Sequence, residues 1–189
     1  MISLEDIREK ALTLGWHDVG VTTAQVPEED AAAYLSWVEQ GYHGEMRYME
    51  RADQRCDMED FFPRAKSVVI FVSSYRQETL PFRDDAGLIA SYARGRDYHN
   101  VYRKRLKKMV AWLEEISSVE GCARGFSDTA PVLERAFAVK AGMGFFGKNN
   151  LFIHKKLGSF VLLAGVVTML EIEGTDIDHG RRKNHCGTC

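Results

Sequence analysis

Residues 126–149 read FSDTAPVLERAFAVKAGMGFFGKN, joining an acidic turn, a short helix and a glycine-rich loop. Asp128 can give or take a proton. Gly142, Gly144 and Gly147 let the backbone turn sharply or approach a large flat surface, with Lys148 and Asn149 at the rim. The set suits a pocket wall, and it equally describes a capped helix with a turn after it. A second candidate is the C-x-x-C pair Cys186 and Cys189. It could be half of a zinc site completed by His179 or His185, a thiol–disulfide pair, or the opening of a ferredoxin-type run. A third is the basic run Arg103-Lys104-Arg105 with Lys107 and Lys108. It fits an RNA phosphate contact or the solvated face of an amphipathic helix. Tyr98 and His99 could line a cofactor edge, but a histidine at a helix start serves as well in a structural hydrogen bond, so neither is taken as a site residue.

Several elements must position these groups. Ser3 with an acid at Asp6 opens an amphipathic helix whose inward residues are Ile7, Ala11 and Leu14, and Gly15 ends it. Asp18–Thr23 reads as a strand. Pro27 starts a second helix to Gln40 with Tyr34, Leu35, Trp37 and Val38 at core spacing. Residues 44–51 predict a short helix with Met46, Tyr48 and Met49 in the core, followed by a loop holding Arg55. Ser67–Ser74 is apolar on both faces and therefore a central strand. Residues 88–93 predict another strand, and residues 100–117 a long helix burying Val101, Leu106, Met109, Val110, Leu113 and Ile116. A strand over Ala123–Phe126 delivers Asp128 to its end. Pro131 then falls in the first turn of a helix over 132–140, capped by Asp128 or Thr129 and stopped by Gly142. Residues 151–154 and 159–169 flank a turn and read as a β-hairpin. The fold class is α/β (α+β), a mixed central sheet flanked by helices, because a hairpin excludes a wholly parallel sheet. Residues 1–170 form one domain and 171–189 a polar tail.

Composition narrows the functional classes. A chain of 189 residues with 45% apolar and 28% charged residues can bury a sizeable core as a soluble globular protein. A net charge of −2 gives no whole-molecule attraction to a polyanion. The longest apolar run, 160–167, is strand-sized, so no membrane span is expected, and the N-terminus lacks the apolar centre of a signal peptide. Cysteines at 56, 122, 186 and 189 do not form a disulfide framework, which points to a reducing cytoplasm, with Cys56 and Cys122 structural. GMGFFG follows a helix rather than a strand, and so fails the dinucleotide-binding fingerprint.

The block DTAPVLERAFAVKAGMGFFGKN at 128–149 resembles the signature of the epoxyqueuosine reductase family. GYHGEMRYMERADQR at 41–55, SYARGRDYHNVYRKRLKK at 91–108 and HCGTC at 185–189 are similar to its other blocks, in the same order. The resemblance covers essentially the whole chain. It implies the N-terminal, cobalamin-binding part of such an enzyme, with a nitroreductase-like fold. The implied reaction is reduction of epoxyqueuosine to queuosine in tRNA, with an electron donor as a further partner. The lack of a histidine motif for a cobalamin tail agrees with a cobalt that has no histidine ligand.

By the resemblance, Arg55, Ala90, Asp128, Asn149, Phe152 and Leu163 contact the cofactor. Asp128 is also the acid that protonates the oxygen released from the epoxide, provided burial keeps its carboxyl protonated. Cys186 and Cys189 fall where the first thiolates of a 4Fe-4S cluster are expected. Two thiolates do not complete a cluster, so neither cluster assembly nor turnover is expected of these residues alone. A corrinoid- or flavin-binding module without turnover is the alternative.

Overall fold

Four antiparallel strands make the middle layer of the protein, a computed structural model that describes residues 2–77, 87–173 and 185–187. Their order is β1 (Asp18–Thr23), β2 (Ser67–Ser74), β6 (Val161–Thr168) and β3 (Ala123–Phe126). Val21 pairs with Val69, Ile70 with Gly165, and Phe126 with Gly165 from the other side. Among the described residues parallel pairing is confined to one bridge, Ile2 to Ile172.

The central position of β2 follows from its residues. Side chains alternate across a strand, and here both sets are apolar, so both faces need cover. Val69 and Phe71 join Val19, Val21 and Val166 in one core, which α1 (Leu4–Thr13) and α5 (Tyr98–Ser117) close with Ile7, Ala11, Leu106, Met109 and Leu113. Val68, Ile70 and Val72 face the other core, closed by Met58 and Phe61 of α4 (Met58–Phe61) and by Phe137 and Ala138 of α6 (Glu134–Lys140). Burying a side chain such as Phe71 or Phe137 contributes about 1.5–3 kcal/mol. The expected combination of sheet and flanking helices is present.

Local signals act as expected at several ends. Ser3 Oγ accepts from Asp6 N, and the Asp6 carboxylate accepts from Ser3 N at 2.9 Å, a complete capping box. Gly142 leaves α6 at φ +71°, a conformation glycine adopts without strain. No helix among the described residues is long and apolar enough to cross a membrane.

Other expectations are corrected. β5 (Phe152–His154) does not form a hairpin with β6; it pairs back onto β4 (Gly144–Phe146) in a separate ladder. The glycine-rich loop reverses the chain between β4 and β5 instead, with Gly147 N donating to Leu151 O at 2.9 Å. Residues 88–93 are not a strand: Ser91–Ala93 is a 3₁₀ turn, and Leu88 and Ile89, adjacent rather than alternating, are exposed. α2 (Glu28–Glu39) buries none of its residues, and Leu35 is exposed. Residues 44–51 supply only the 3₁₀ turn Arg47–Glu50, with Met46 and Tyr48 exposed rather than in the core. Arg55 stands on the one-turn helix α3 (Asp53–Cys56), not in a loop. α5 begins at Tyr98 with Asp97 as its cap, and buries Tyr102 while leaving Ile116 exposed. His179 and Cys189 lie outside the described residues.

Candidate active site

β3 ends at Phe126 and releases a tight loop before α6. Thr129 N reaches back to Ser127 O at 2.6 Å, and Asp128 between them takes a left-handed φ of +48°. Aspartate is one of the few non-glycine residues that enter this region readily. The turn aims the carboxylate away from α6, so neither Asp128 nor Thr129 caps that helix, whose N-cap Leu133 has no side-chain bond to offer. Pro131 precedes the helix instead of occupying its first turn.

Asp128 points at the start of α5. Its Oδ2 accepts the Tyr98 hydroxyl at 3.2 Å and lies 2.8 Å from His99 Nε2. The other ring nitrogen, Nδ1, lies 2.8 Å from Asp97 Oδ1. Ionised carboxylates only accept, so a ring between two of them donates from both nitrogens, as imidazolium. The Asp128 and Asp97 bonds accordingly raise the His99 pKa above the ordinary imidazole value. Desolvation, then the Asp128 charge, push Tyr98 up to about 12, so it stays a donor. The burial expected for Asp128 is not found: its side chain is 55% exposed.

Two adjoining clefts carry the remaining candidates. One, of about 350 Å³, brings Asp128 together with Phe152, Leu163, Tyr75 and Tyr98. The other, of about 490 Å³, holds Arg55 between Tyr34, Trp37 and Phe146. The aromatic stripe of α2, read from its spacing as core, is a cleft wall. Glu134 and Arg135 line both clefts. The Glu134 residue keeps some exposure along its length, yet its Oε1 is enclosed and has no hydrogen-bond partner among the described residues. Desolvation raises its pKa to about 7, with the Asp128 charge adding to the rise while its backbone bond, Arg55 and Arg135 oppose it. Arg55 Nε is likewise buried without a partner among the described residues, and its guanidinium carbon stands 5.8 Å from the Tyr34 ring.

Four of the residues named from sequence line these clefts, and others do not. Phe152 does so while also packed in the core, 5% exposed. Ala90 precedes the Ser91–Ala93 turn on the surface, and Asn149 uses its Oδ1 to accept Leu151 N at 3.2 Å; neither lines these two clefts. Cys186 rests against the glycine-rich loop, its sulfur accepting Lys148 N at 3.4 Å, while the His185 ring stands 5.0 Å from Phe145. The described end of the chain is therefore seated on the β4–β5 ladder rather than extended as a free tail. Gly144 serves that ladder: a Cβ there would fall 2.2 Å from Ile153 O and 2.7 Å from the Phe152 ring.

Sequence reasoning passed over Tyr98, His99 and Glu134. A sequence cue existed for Glu134, which lies three and four residues before the buried Phe137 and Ala138 and so shares their inward face. For His99 the cue was weaker, the D-Y-H string at the start of α5.

The family model described as Epoxyqueuosine reductase QueG, DUF1730, matches residues 55–129, a segment that includes Arg55 and Asp128. An epoxyqueuosine reductase of Cyclobacterium marinum is 40% identical over 186 residues, covering 97% of this chain and 58% of that relative. A solved selenomethionine-labelled epoxyqueuosine reductase superposes with a TM-score of 0.81 at 27% identity, covering 98% of this chain and 49% of the other.

Over nearly its whole length the chain is similar to epoxyqueuosine reductases.

It spans little more than half the length of the epoxyqueuosine reductases it matches. Another solved epoxyqueuosine reductase, holding an epoxyqueuosine-modified tRNA-Tyr stem loop, matches with a TM-score of 0.77 at 26% identity over 98% of this chain and 49% of its own. A reductive dehalogenase described by a mechanism for B12-dependent dehalogenation shares the fold, with a TM-score of 0.51 at 20% identity over 88% of this chain and 19% of that one. The part of this chain that matches the epoxyqueuosine reductase model contains Arg55, Asp97, His99 and Asp128.

Proposed function

We propose that this chain is the cobalamin-binding, epoxide-reducing part of an epoxyqueuosine reductase, with residues 1–170 as its body and Asp128 as the acid that protonates the departing oxygen. The observation that carries the reading is the pair of clefts joined at Glu134, with two buried polar atoms, Arg55 Nε and Glu134 Oε1, left without partners. Buried polar groups are ordinarily satisfied, so two orphans on one rim suit a ligand that brings its own polar edge. A corrin is an apolar disc edged with amides. Tyr34, Trp37, Phe146, Phe152 and Leu163 would face the disc, while Arg55 donates to an amide oxygen and a neutral Glu134 donates or accepts. The residues present fit the group. Bound cobalamin would supply the electrons that open the epoxide.

The chain's own residues do the rest. Opening the C–O bond leaves an alkoxide, and in this reading Asp128, which lines the smaller cleft, protonates it. Tyr98 holds the carboxylate in position from the side. The substrate class is tRNA, as in the relative solved with an epoxyqueuosine-modified stem loop, and a tRNA substrate is compatible with the cytoplasm. Ala90 and Asn149 are assigned to the rim. Cys186, already accepting an N–H bond, and Cys189 are read as the first two thiolates of a 4Fe-4S cluster fed by an electron donor, a cluster they do not complete by themselves.

Titrating cobalamin into the purified chain tests the reading. The corrin absorption bands should shift on binding, whereas a flavin site would leave them unchanged. Arg55→Gln and Leu163→Lys should each weaken binding at least ~10-fold, about 1.4 kcal/mol. Unchanged affinity in both variants, with the fold intact by circular dichroism, would place the cofactor elsewhere.

A further inference from the structure

We propose that His99, held from behind by Asp97, is the proton store for Asp128, so that the unit delivering protons to the epoxide is the triad Asp97–His99–Asp128. This deepens the function proposed above and rests on it. The stoichiometry asks for such a store. Reducing an epoxide to an alkene and water takes two electrons, which are the cofactor's, and two protons. The first proton turns the alkoxide into a hydroxyl, and the second lets that hydroxyl leave as water while the alkene forms. A single carboxyl carries one proton at a time.

The geometry supplies the other. His99 Nε2 lies 2.8 Å from the same Asp128 oxygen that Tyr98 holds, and Nδ1 lies 2.8 Å from Asp97. The three groups also bridge two surfaces. Asp128 lines the smaller cleft, while Asp97 and His99 line a separate groove of about 880 Å³ between α5 and β3. Ser127, Thr129, Ala130 and Pro131 also line that groove, which sets the Asp128 loop between the two openings. In the resting pair the imidazolium holds the proton on Nε2. As the C–O bond breaks, the Asp128 carboxylate takes the Nε2 proton and passes it to the alkoxide, and it carries the second proton by the same route once His99 is recharged. Neutral His99, still donating from Nδ1 to Asp97, then regains a proton at Nε2 from water entering by the groove; its side chain is 38% exposed. Tyr98 stacks on the ring at 4.0 Å, and the groove also carries the cations Arg103, Lys107 and Arg124 and the acid Glu114. Those cations oppose protonation, so the two aspartates must outweigh them. His99 acts through Asp128 and is a positioning residue that also stores charge.

Nitrogen-15 NMR of the imidazoles in the intact chain provides the test. The His99 midpoint should lie above that of a free imidazole, fall in Asp128→Asn, and fall by less in Asp97→Asn, because the Asp128 bond is the larger influence. In single turnovers of the cobalamin-loaded chain, driven by a strong chemical reductant on the epoxyqueuosine nucleoside, His99→Gln should move the loss of rate to lower pH. A His99 midpoint indifferent to Asp128→Asn, or a His99→Gln pH profile that overlays wild type, overturns the store. Failure of the wild type to turn over while the NMR coupling persists would remove the assigned reaction instead, and leave the proton-sharing triad supported.

Discussion

Glu134 is the residue whose surroundings most alter its chemistry. Its carboxyl is drawn inside by the apolar helix that carries it, and desolvation raises its pKa from 4.5 to about 7. A carboxyl raised in the folded state binds a proton that the unfolded chain has already released. Stability therefore falls as pH climbs from the unfolded value through the folded one, and the loss is complete above about 7. A shift of this size corresponds to roughly 3 kcal/mol. Glu134→Gln removes the penalty while keeping the shape. At about pH 8 the variant should be more stable than wild type by roughly 1–3 kcal/mol, and at about pH 4 it should show no such advantage. Urea unfolding at both values measures the difference; an equal gap at both would show that the carboxyl is ionised throughout. Asp128 calls for the opposite outcome. Asp128→Asn should fold and bind cobalamin, yet lose at least ~100-fold in epoxide reduction as a general acid is removed, read in the same chemically reduced single turnovers. Near wild-type turnover would leave the carboxylate as only an anchor for Tyr98 and His99.

At the scale of elements, local chemistry was legible and lateral pairing was not. The Ser3–Asp6 cap, the alternation in β2 and the stop at Gly142 are dictated by neighbours in sequence, and they fall where the sequence puts them. The expected β5–β6 hairpin fails because turn residues say where a chain reverses but not which neighbouring strand it then pairs with. The α2 stripe was misread because period 3.6 marks any apolar face, and here that face borders a cleft instead of a core. Asp128, Phe152, Leu163 and Arg55 were found through their motif, while His99 was not, since its role arises from a loop that folds back across the sheet to α5. The basic run also divides. Arg103, Lys104, Lys107 and Lys108 are solvated, but the Arg105 guanidinium lies over Trp16 at 5.2 Å. The β4–β5 ladder depends on Gly144, because a methyl group there meets the backbone oxygen of Ile153, which cannot swing aside. Gly144→Ala should cost about 1–3 kcal/mol and weaken cobalamin binding, since the ladder carries Phe146 and Phe152 of the cleft walls. Calorimetry and absorbance titration on the same variant check both effects, and a variant as stable as wild type would mean the strands can part without loss.

Across the whole molecule, the cleft walls come from two separate sheets, so the site exists only while those sheets keep their relative position. His154 of β5 is the tie. Its Nδ1 accepts the backbone N–H groups of Lys156 at 3.3 Å and Leu157 at 3.1 Å, which leaves Nε2 to carry the ring proton. That Nε2 donates to Asp18 Oδ2 of β1 at 2.9 Å, with the imidazole buried and the carboxylate about a third exposed, at 33%. The His154 bond holds the Asp18 carboxyl below its ordinary value, against the desolvation that would raise it. A carboxyl depressed in the folded state contributes stability that is present above its unfolded value and lost as pH falls through the folded one. Asp18→Asn should therefore destabilise the protein at neutral pH by about 1–2 kcal/mol, with the partial exposure of Asp18 keeping the figure low. As pH falls below about 4 and on through the lower folded value, the wild-type carboxyl becomes protonated, so the two proteins should converge. Because the bond joins β5 to β1, the variant should also loosen the wall that holds Phe152, and hydrogen exchange at residues 152–154 should quicken more than in β2. Equal stability at neutral pH would deny the tie its role, and a gap that persists undiminished in acid would trace the loss to packing rather than to the charge on Asp18.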